Sequence, residues 1–225
     1  MDFNLLLSQV PQLISGISMT LGLMFFALVM GLLLALILTI ISYSRIRIIS
    51  MIIYLYTFII RGSPLLVQIF IIYYGSGQFD FIENSFLWDI LKHPFWCAVI
   101  ALSINSSAYC VVLFRGTINS IPKGEFEACK ALGMSRIQMI TRVIAGRFIR
   151  RVLPAYSNEV VIVLKSTSLA STITIMDLMG VTHEFISDTY ATIPYLLIAG
   201  ICYLLINMII IRLFRVLENS MHVLG

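Results

Sequence analysis

Two ionisable residues interrupt an apolar run late in the chain. They are Glu159 and Lys165, with Ser157, Asn158, Ser166, Thr167 and Ser168 around them. An earlier apolar run carries Ser103, Asn105, Ser106, Ser107 and Tyr109, and another holds Gln68. A carboxylate, an ammonium and clustered hydroxyl and amide groups suit recognition of a small zwitterion. The acid pairs with the solute's ammonium, and the donors pair with its carboxylate. Glu159 and Lys165 are separated by about 1.7 helical turns, so they do not face each other, and each is expected to turn toward the protein interior. A second reading of the same residues is structural, because Ser, Thr and Asn commonly join helices in membranes at about 0.6 kcal/mol each. The residues alone leave both readings open. For a cationic side chain, an outer-mouth acid such as Asp177 is a further candidate partner. The aromatics near run ends, Tyr73, Tyr74, Trp88, Trp96 and Tyr195, are expected to form an interfacial belt. Catalysis is not indicated. The apolar runs hold no aspartate pair and no histidine at mid-run, and no C-x-x-C pair occurs among the four cysteines. The three histidines lie far apart in sequence, which argues against convergent metal ligands. A G-x-x-x-x-G-K-[ST] phosphate loop is absent, so ATP hydrolysis by this chain is not expected.

These groups must be positioned by membrane-spanning helices. The chain has 225 residues, 60% hydrophobic and only 12% charged, where a soluble domain carries about 25% charged residues. The surplus apolar surface must face lipid. Five spans are predicted, at 14–41, 48–74, 94–114, 153–176 and 193–213, giving an all-α polytopic protein with one domain over 1–225. The first run lacks a basic flank ahead of it and is too long for a signal peptide, so it is expected to be a retained span. Pro64, in the stretch Arg61-Gly62-Ser63-Pro64, removes a backbone donor and is expected to kink the second span. The first part of that span, 48–60, should then lie partly along the interface, and 64–74 should go deep. The run 165–172 is rich in hydroxyls and is expected to be partly unwound, a state tolerated at mid-membrane where it lines a cavity.

Charge distribution predicts orientation. Arg45 and Arg47 follow the first span, and Arg212 and Arg215 follow the fifth. Arg115, Lys123, Lys130, Arg136, Arg142, Arg147, Arg150 and Arg151 lie between the third and fourth, while the opposite loops hold only Lys92. The positive-inside bias places the N-terminus in the periplasm, the C-terminus in the cytoplasm and the 116–152 loop on the cytoplasmic side. Topology and membrane lipid account for the net charge of +4, and nothing in it points to nucleic acid.

That loop has a shape that topology does not explain. Glu125 to Leu132 favours a short amphipathic helix, Gly133 can supply a left-handed break, and Ser135 with Gln138 can form a capping box for a second helix. Small residues such as Ala128 and Ala131 would allow another surface to approach closely. A helix resting on the lipid interface is the competing reading.

The segment Glu-Phe-Glu-Ala-Cys-Lys-Ala-Leu-Gly-Met-Ser (125–135) resembles the EAA loop of ABC-importer permeases. The segments 58–75, 103–135 and 153–180 are similar to the corresponding segments of the polar amino acid subfamily, in the same order. The resemblance implies the type I importer permease fold and an EAA-type coupling loop at about 116–152. It also implies that Glu125, Glu127, Ala128, Cys129, Ala131, Leu132, Gly133 and Ser135 contact a cytoplasmic ATPase. Implied partners are a second homologous permease chain, two ATP-binding subunits that hold ATP and Mg, and a periplasmic amino-acid-binding protein. The implied solute is a polar, basic amino acid, arginine first, with histidine, lysine, ornithine or glutamine as alternatives. A structural membrane assembly subunit is the non-transporter alternative. Gln68, Ser103, Asn105, Ser106, Tyr109, Asn158, Glu159, Lys165, Ser166, Thr167 and Ser168 are the candidate pathway residues. Cys129 stands where the family has its second alanine, and Gly146 where it often has proline; both are expected to be tolerated.

Overall fold

The computed structural model describes residues 3–44 and 46–223; Asp2 and Arg45 lie outside them. Every regular element among these residues is helical. Three helices are long and apolar enough to cross a membrane alone: α1 (Phe3–Ser42), α6 (Pro94–Asn119) and α11 (Thr192–Val223). Two further crossings are bent pairs. The first joins α2 (Arg47–Gly62) to α3 (Leu65–Ser76) at 102°. The second runs from α8 (Arg136–Met139) through a π-helical turn (Ile140–Ile144), α9 (Ala145–Ser166) and a 3-10 stretch (Thr167–Ile173), then bends by 50° into α10 (Leu178–Thr189). The short α4 (Asp80–Glu83) and α5 (Trp88–Leu91) lie in the loop before α6, and α7 (Lys123–Ala131) follows it. By length and composition three helices can cross alone, and the count reaches five when each bent pair is taken as one crossing.

The helix α6 is the central post. It packs against α1, α2, α3 and α9, and two-thirds of its apolar window is buried. Its closest neighbour is α1, through small residues four apart: Ala27, Gly31 and Ala35, with both alanines fully buried. A Cβ at Gly31 would lie 3.1 Å from the Ser103 carbonyl oxygen of α6. Small residues at this spacing let two backbones approach, the usual way to gain packing energy where lipid removes the hydrophobic drive. The outer surface is correspondingly greasy: Ile40, Ile48 and Met51 are each at least 70% exposed.

Both breaks form where the sequence denies α-helix its hydrogen bonds. Pro64 donates no N–H, so α2 ends with free carbonyls. Gln68 returns from α3 and donates from Nε2 to the Ile60 carbonyl (2.8 Å) and to the Ser63 hydroxyl (2.8 Å). In the second bent pair, Thr167, Ser168, Ser171 and Thr172 each donate a hydroxyl hydrogen bond to the carbonyl three residues earlier (2.6–2.8 Å). These local bonds compete with the α pattern and favour the tighter 3-10 form. The stretch ends at Thr174 in the left-handed region (φ 67°), and Asp177 then caps α10 by accepting from the Gly180 N–H at 3.0 Å.

Two expectations change. Asp177, a candidate outer-mouth acid for a guanidinium, is fully buried and committed to its cap, to the Tyr203 hydroxyl (3.3 Å) and to the break itself. Tyr195, expected in an interfacial aromatic belt, is packed inside on Phe185 with its hydroxyl donating to Gln9.

Substitution of Gly31 by leucine is expected to abolish the monodisperse detergent-solubilised species in size-exclusion chromatography. Gln68→Leu, which orphans the α2 carbonyls, should lower stability by about 1–3 kcal/mol, seen as a lower thermal midpoint in the same detergent.

Candidate functional site

The polar loop forms a rigid platform. Pro122 precedes α7, whose apolar anchor Cys129 is buried. Glu127, Ala128, Ala131, Leu132, Gly133 and Ser135 are exposed, and Leu132 is 75% exposed. At the end of α7 the Met134 N–H donates to the Cys129 carbonyl (3.0 Å) and the Gly133 N–H to the Lys130 carbonyl (2.9 Å). Gly133 has φ +70°; this bonding pattern favours glycine because a Cβ is disfavoured there. Ser135 and Gln138 then close both bonds of the capping box expected from the sequence: Ser135 N–H to Gln138 Oε1 (2.9 Å) and Gln138 N–H to Ser135 Oγ (3.3 Å).

This platform is tied across space to α9. Arg147 Nη1 donates to Glu125 Oε1 at 2.6 Å. Four residues on, on the same face of α9, Arg151 Nη1 donates to the Ser120 carbonyl (2.7 Å) and hydroxyl (3.1 Å). The direct chain route between α7 and α9 runs through the Gly133 break and the π-helical turn. The Arg147–Glu125 bond bypasses both, while Arg151 fastens α9 to the C-cap of α6.

The polar residues of the spans divide into two sets. Gln68 is buried and its amide is fully used: besides the α2 groups, its Oε1 accepts from Asn105 Nδ2 at 3.0 Å. Ser103 is buried and turned to backbone, donating to the Val99 carbonyl (2.6 Å) and lying 3.2 Å from the Ala27 carbonyl. Thr167 is buried, while Ser166 is half-buried. Ser106 of α6 is buried beside Glu159 of α9. Glu159 does face the interior, as expected. Lys165 does not: it is exposed, and with Ser168 and Tyr203 it lines a cavity of about 340 Å³ between α9, α10 and α11. Glu159 and Lys165 are not paired. Asn158 and Tyr109 are also exposed.

Sequence reading missed Arg61 as a site residue. Its guanidinium carbon lies 5.1 Å from the centre of the Tyr109 ring, bringing the α2 break onto the polar face of α6. An arginine inside a span was the available signal. The tie from Arg147 and Arg151 was also missed, because eight basic residues in one loop read as topology, and no spacing rule links positions 125 and 147.

The fold is that of a polytopic helical membrane protein with an exposed helix–glycine–helix platform. The chain belongs to the family of binding-protein-dependent transport system inner membrane components, matched over residues 27–223. It is 45% identical over 206 residues to the octopine transport system permease protein OccM of Rhizobium radiobacter, covering 92% of this chain and 84% of that one. It is 42% identical over 208 residues to the arginine ABC transporter permease protein ArtM of Haemophilus influenzae, covering 92% and 91%. A solved amino acid ABC transporter crystallised with histidines superposes with a TM-score of 0.86 at 32% identity, covering 98% of this chain and 99% of that one. The type I importer permease fold implied by the sequence is the fold found.

Breaking the tie with Glu125→Gln is expected to cost no more than about 1 kcal/mol of stability, the scale of a partly exposed ion pair. Its effect should appear in coupling instead: less solute moved per ATP hydrolysed in proteoliposomes of the whole transporter. The exchange Glu125→Arg with Arg147→Glu should restore the ratio.

Proposed function

We propose that this chain is the membrane-spanning permease subunit of an ATP-driven importer of polar, basic amino acids, with arginine as its first substrate. The observation that carries the reading is the family match combined with an exposed helix–glycine–helix platform tied to the helix that bears Glu159 and Lys165. The chain holds no ATP-binding motif, so the energy enters through that platform. Its partners are a second, homologous permease chain, two cytoplasmic ATPases that bind ATP and Mg, and a periplasmic binding protein that delivers the solute. The N-terminus is periplasmic and the C-terminus cytoplasmic, with the 116–152 loop facing the ATPases.

The mechanism is alternating access. ATP binding draws the two ATPases together. Each carries a platform with it, through contacts at Glu127, Ala128, Cys129, Ala131, Leu132, Gly133 and Ser135, with Glu125 joining the platform to Arg147. The tie passes this displacement to α9, and the paired permeases open outward; hydrolysis resets the inward state. Within the membrane, Glu159 and the Ser106 hydroxyl serve the solute's positive end. Asn105, Tyr109, Asn158, Lys165 and Ser168 line the route. Ser166 and Thr167 shape the broken stretch beside it, and Gln68 and Ser103 hold the lining helices in register. An octopine-type solute is the second reading, favoured by the 45% identity to the octopine permease.

Uptake of labelled arginine should fall when the gene is deleted, with competition by lysine and ornithine and none by glutamine. Octopine as the stronger competitor would favour the second reading, and unchanged arginine uptake would reject the first. Gly133→Pro should abolish uptake while leaving membrane insertion intact, because proline cannot adopt φ +70° and has no N–H for the Lys130 carbonyl.

A further inference from the structure

Arg61 lies where an exposed charge cannot face lipid. Helix α6 has 26 residues, and Tyr109 sits about 4 Å from its midpoint at 1.5 Å per residue. The guanidinium held over Tyr109 therefore lies within the length of the α6 crossing. A charge within a crossing faces protein or a water-filled path. The Arg61 and Tyr109 side chains are both exposed on this chain. Among the described residues, the ion pairs are Lys92–Asp89 and Arg147–Glu125, so Arg61 has no carboxylate of this chain. Its guanidinium opens onto a groove of about 430 Å³ between α2 and α6, which Thr57, Val112, Arg115 and Asn119 also line. That volume is in the range of small-molecule sites. The groove is lined by two guanidiniums, the Asn119 amide and the hydroxyls of Thr57 and Tyr54, and by no acid.

We propose that Arg61, held over Tyr109, is the carboxylate anchor of the translocation route and takes the α-carboxylate of the amino acid in passage. The inference rests on the amino-acid-importer reading above. The planar guanidinium matches a carboxylate through two parallel N–H donors, which a lysine ammonium does not reproduce. Stacking on Tyr109 restricts the long side chain and leaves its N–H edge free for the solute. Three residues before Tyr109 on α6 lies Ser106, buried beside the likewise buried Glu159 of α9. One helix thus presents a hydroxyl beside an acid and an arginine-bearing ring, the two signs that a zwitterion requires.

The test uses the whole permease–ATPase complex in lipid nanodiscs without binding protein. Labelled arginine is displaced by unlabelled arginine or by argininamide, whose carboxylate is replaced by a neutral amide. Wild type should prefer arginine over the amide by about tenfold or more, the scale of a charged hydrogen bond. Arg61→Gln should weaken arginine binding by a similar factor, leave argininamide unchanged and so erase the preference; Arg61→Lys should keep part of it. A wild-type preference retained in Arg61→Gln would overturn the proposal. If Arg61→Gln fails to assemble with the second permease, Arg61→Lys decides, and undiminished preference there rejects the anchor. If wild type binds a different amino acid of a lysine, histidine and glutamine panel, the arginine assignment fails, and Arg61 is judged with that amino acid and its amide. If it binds none, the importer reading and the anchor fall together.

Discussion

Water is absent from the hydrocarbon core, so a backbone group freed by a broken helix must find its partner inside the protein. This chain breaks two of its five crossings and meets the requirement with side chains. Gln68 returns to the carbonyls that Pro64 leaves open. Asp177 accepts from the Gly180 N–H, and Thr20 of α1 accepts from the Leu178 N–H at 3.0 Å. Both acceptors at the second break are fully buried. Without these bonds, neither bend would be tolerated at this depth. The bends in turn give α6 its neighbours on three sides.

That constraint sorts the polar residues of the spans. Some are consumed in holding backbone: Gln68, Ser103, Thr167 and Asp177 have their groups committed. What remains is a short set with capacity to spare. Glu159 lies beside a hydroxyl instead of a cation, Lys165 opens on a cavity, and Arg61 has an aromatic face and no acid of this chain. Charges left within a span without a counter-ion are expensive. Their persistence argues for a charged visitor or partner more strongly than the abundance of serine and threonine does.

The platform outside the membrane follows a different rule. Its conformation is set locally, by a glycine in the left-handed region and a reciprocal cap, and needs no packing to explain it. Its orientation relative to the spans is a tertiary matter, held by Arg147, while Arg151 joins α9 to the end of α6. A local fold with a long-range tether suits the coupling role proposed for this element.

Much of this was legible in the residues themselves. Apolar run length dictates five crossings because hydrocarbon thickness fixes helix length. Pro64, Gly133 and the Ser135–Gln138 pair act within a few residues, so their breaks and caps could be named from spacing alone. The hydroxyl run at 165–172 reads as partly unwound in the sequence; the structure instead tightens it into a 3-10 stretch at Thr167–Ile173, and the chain leaves helix only at Thr174. Only the tertiary structure decided which polar groups are spent and which are free. Gln68 and Asp177 look like pathway residues in a sequence, yet the fold closes them on backbone. Arg61 looks like part of a turn, yet the fold lays it on Tyr109, 48 positions away. The reason is physical: helical periodicity tells which residues share a face, but not which neighbour that face meets. In lipid, where apolar surfaces are nearly interchangeable, that choice falls to close fits such as Gly31 on Ser103.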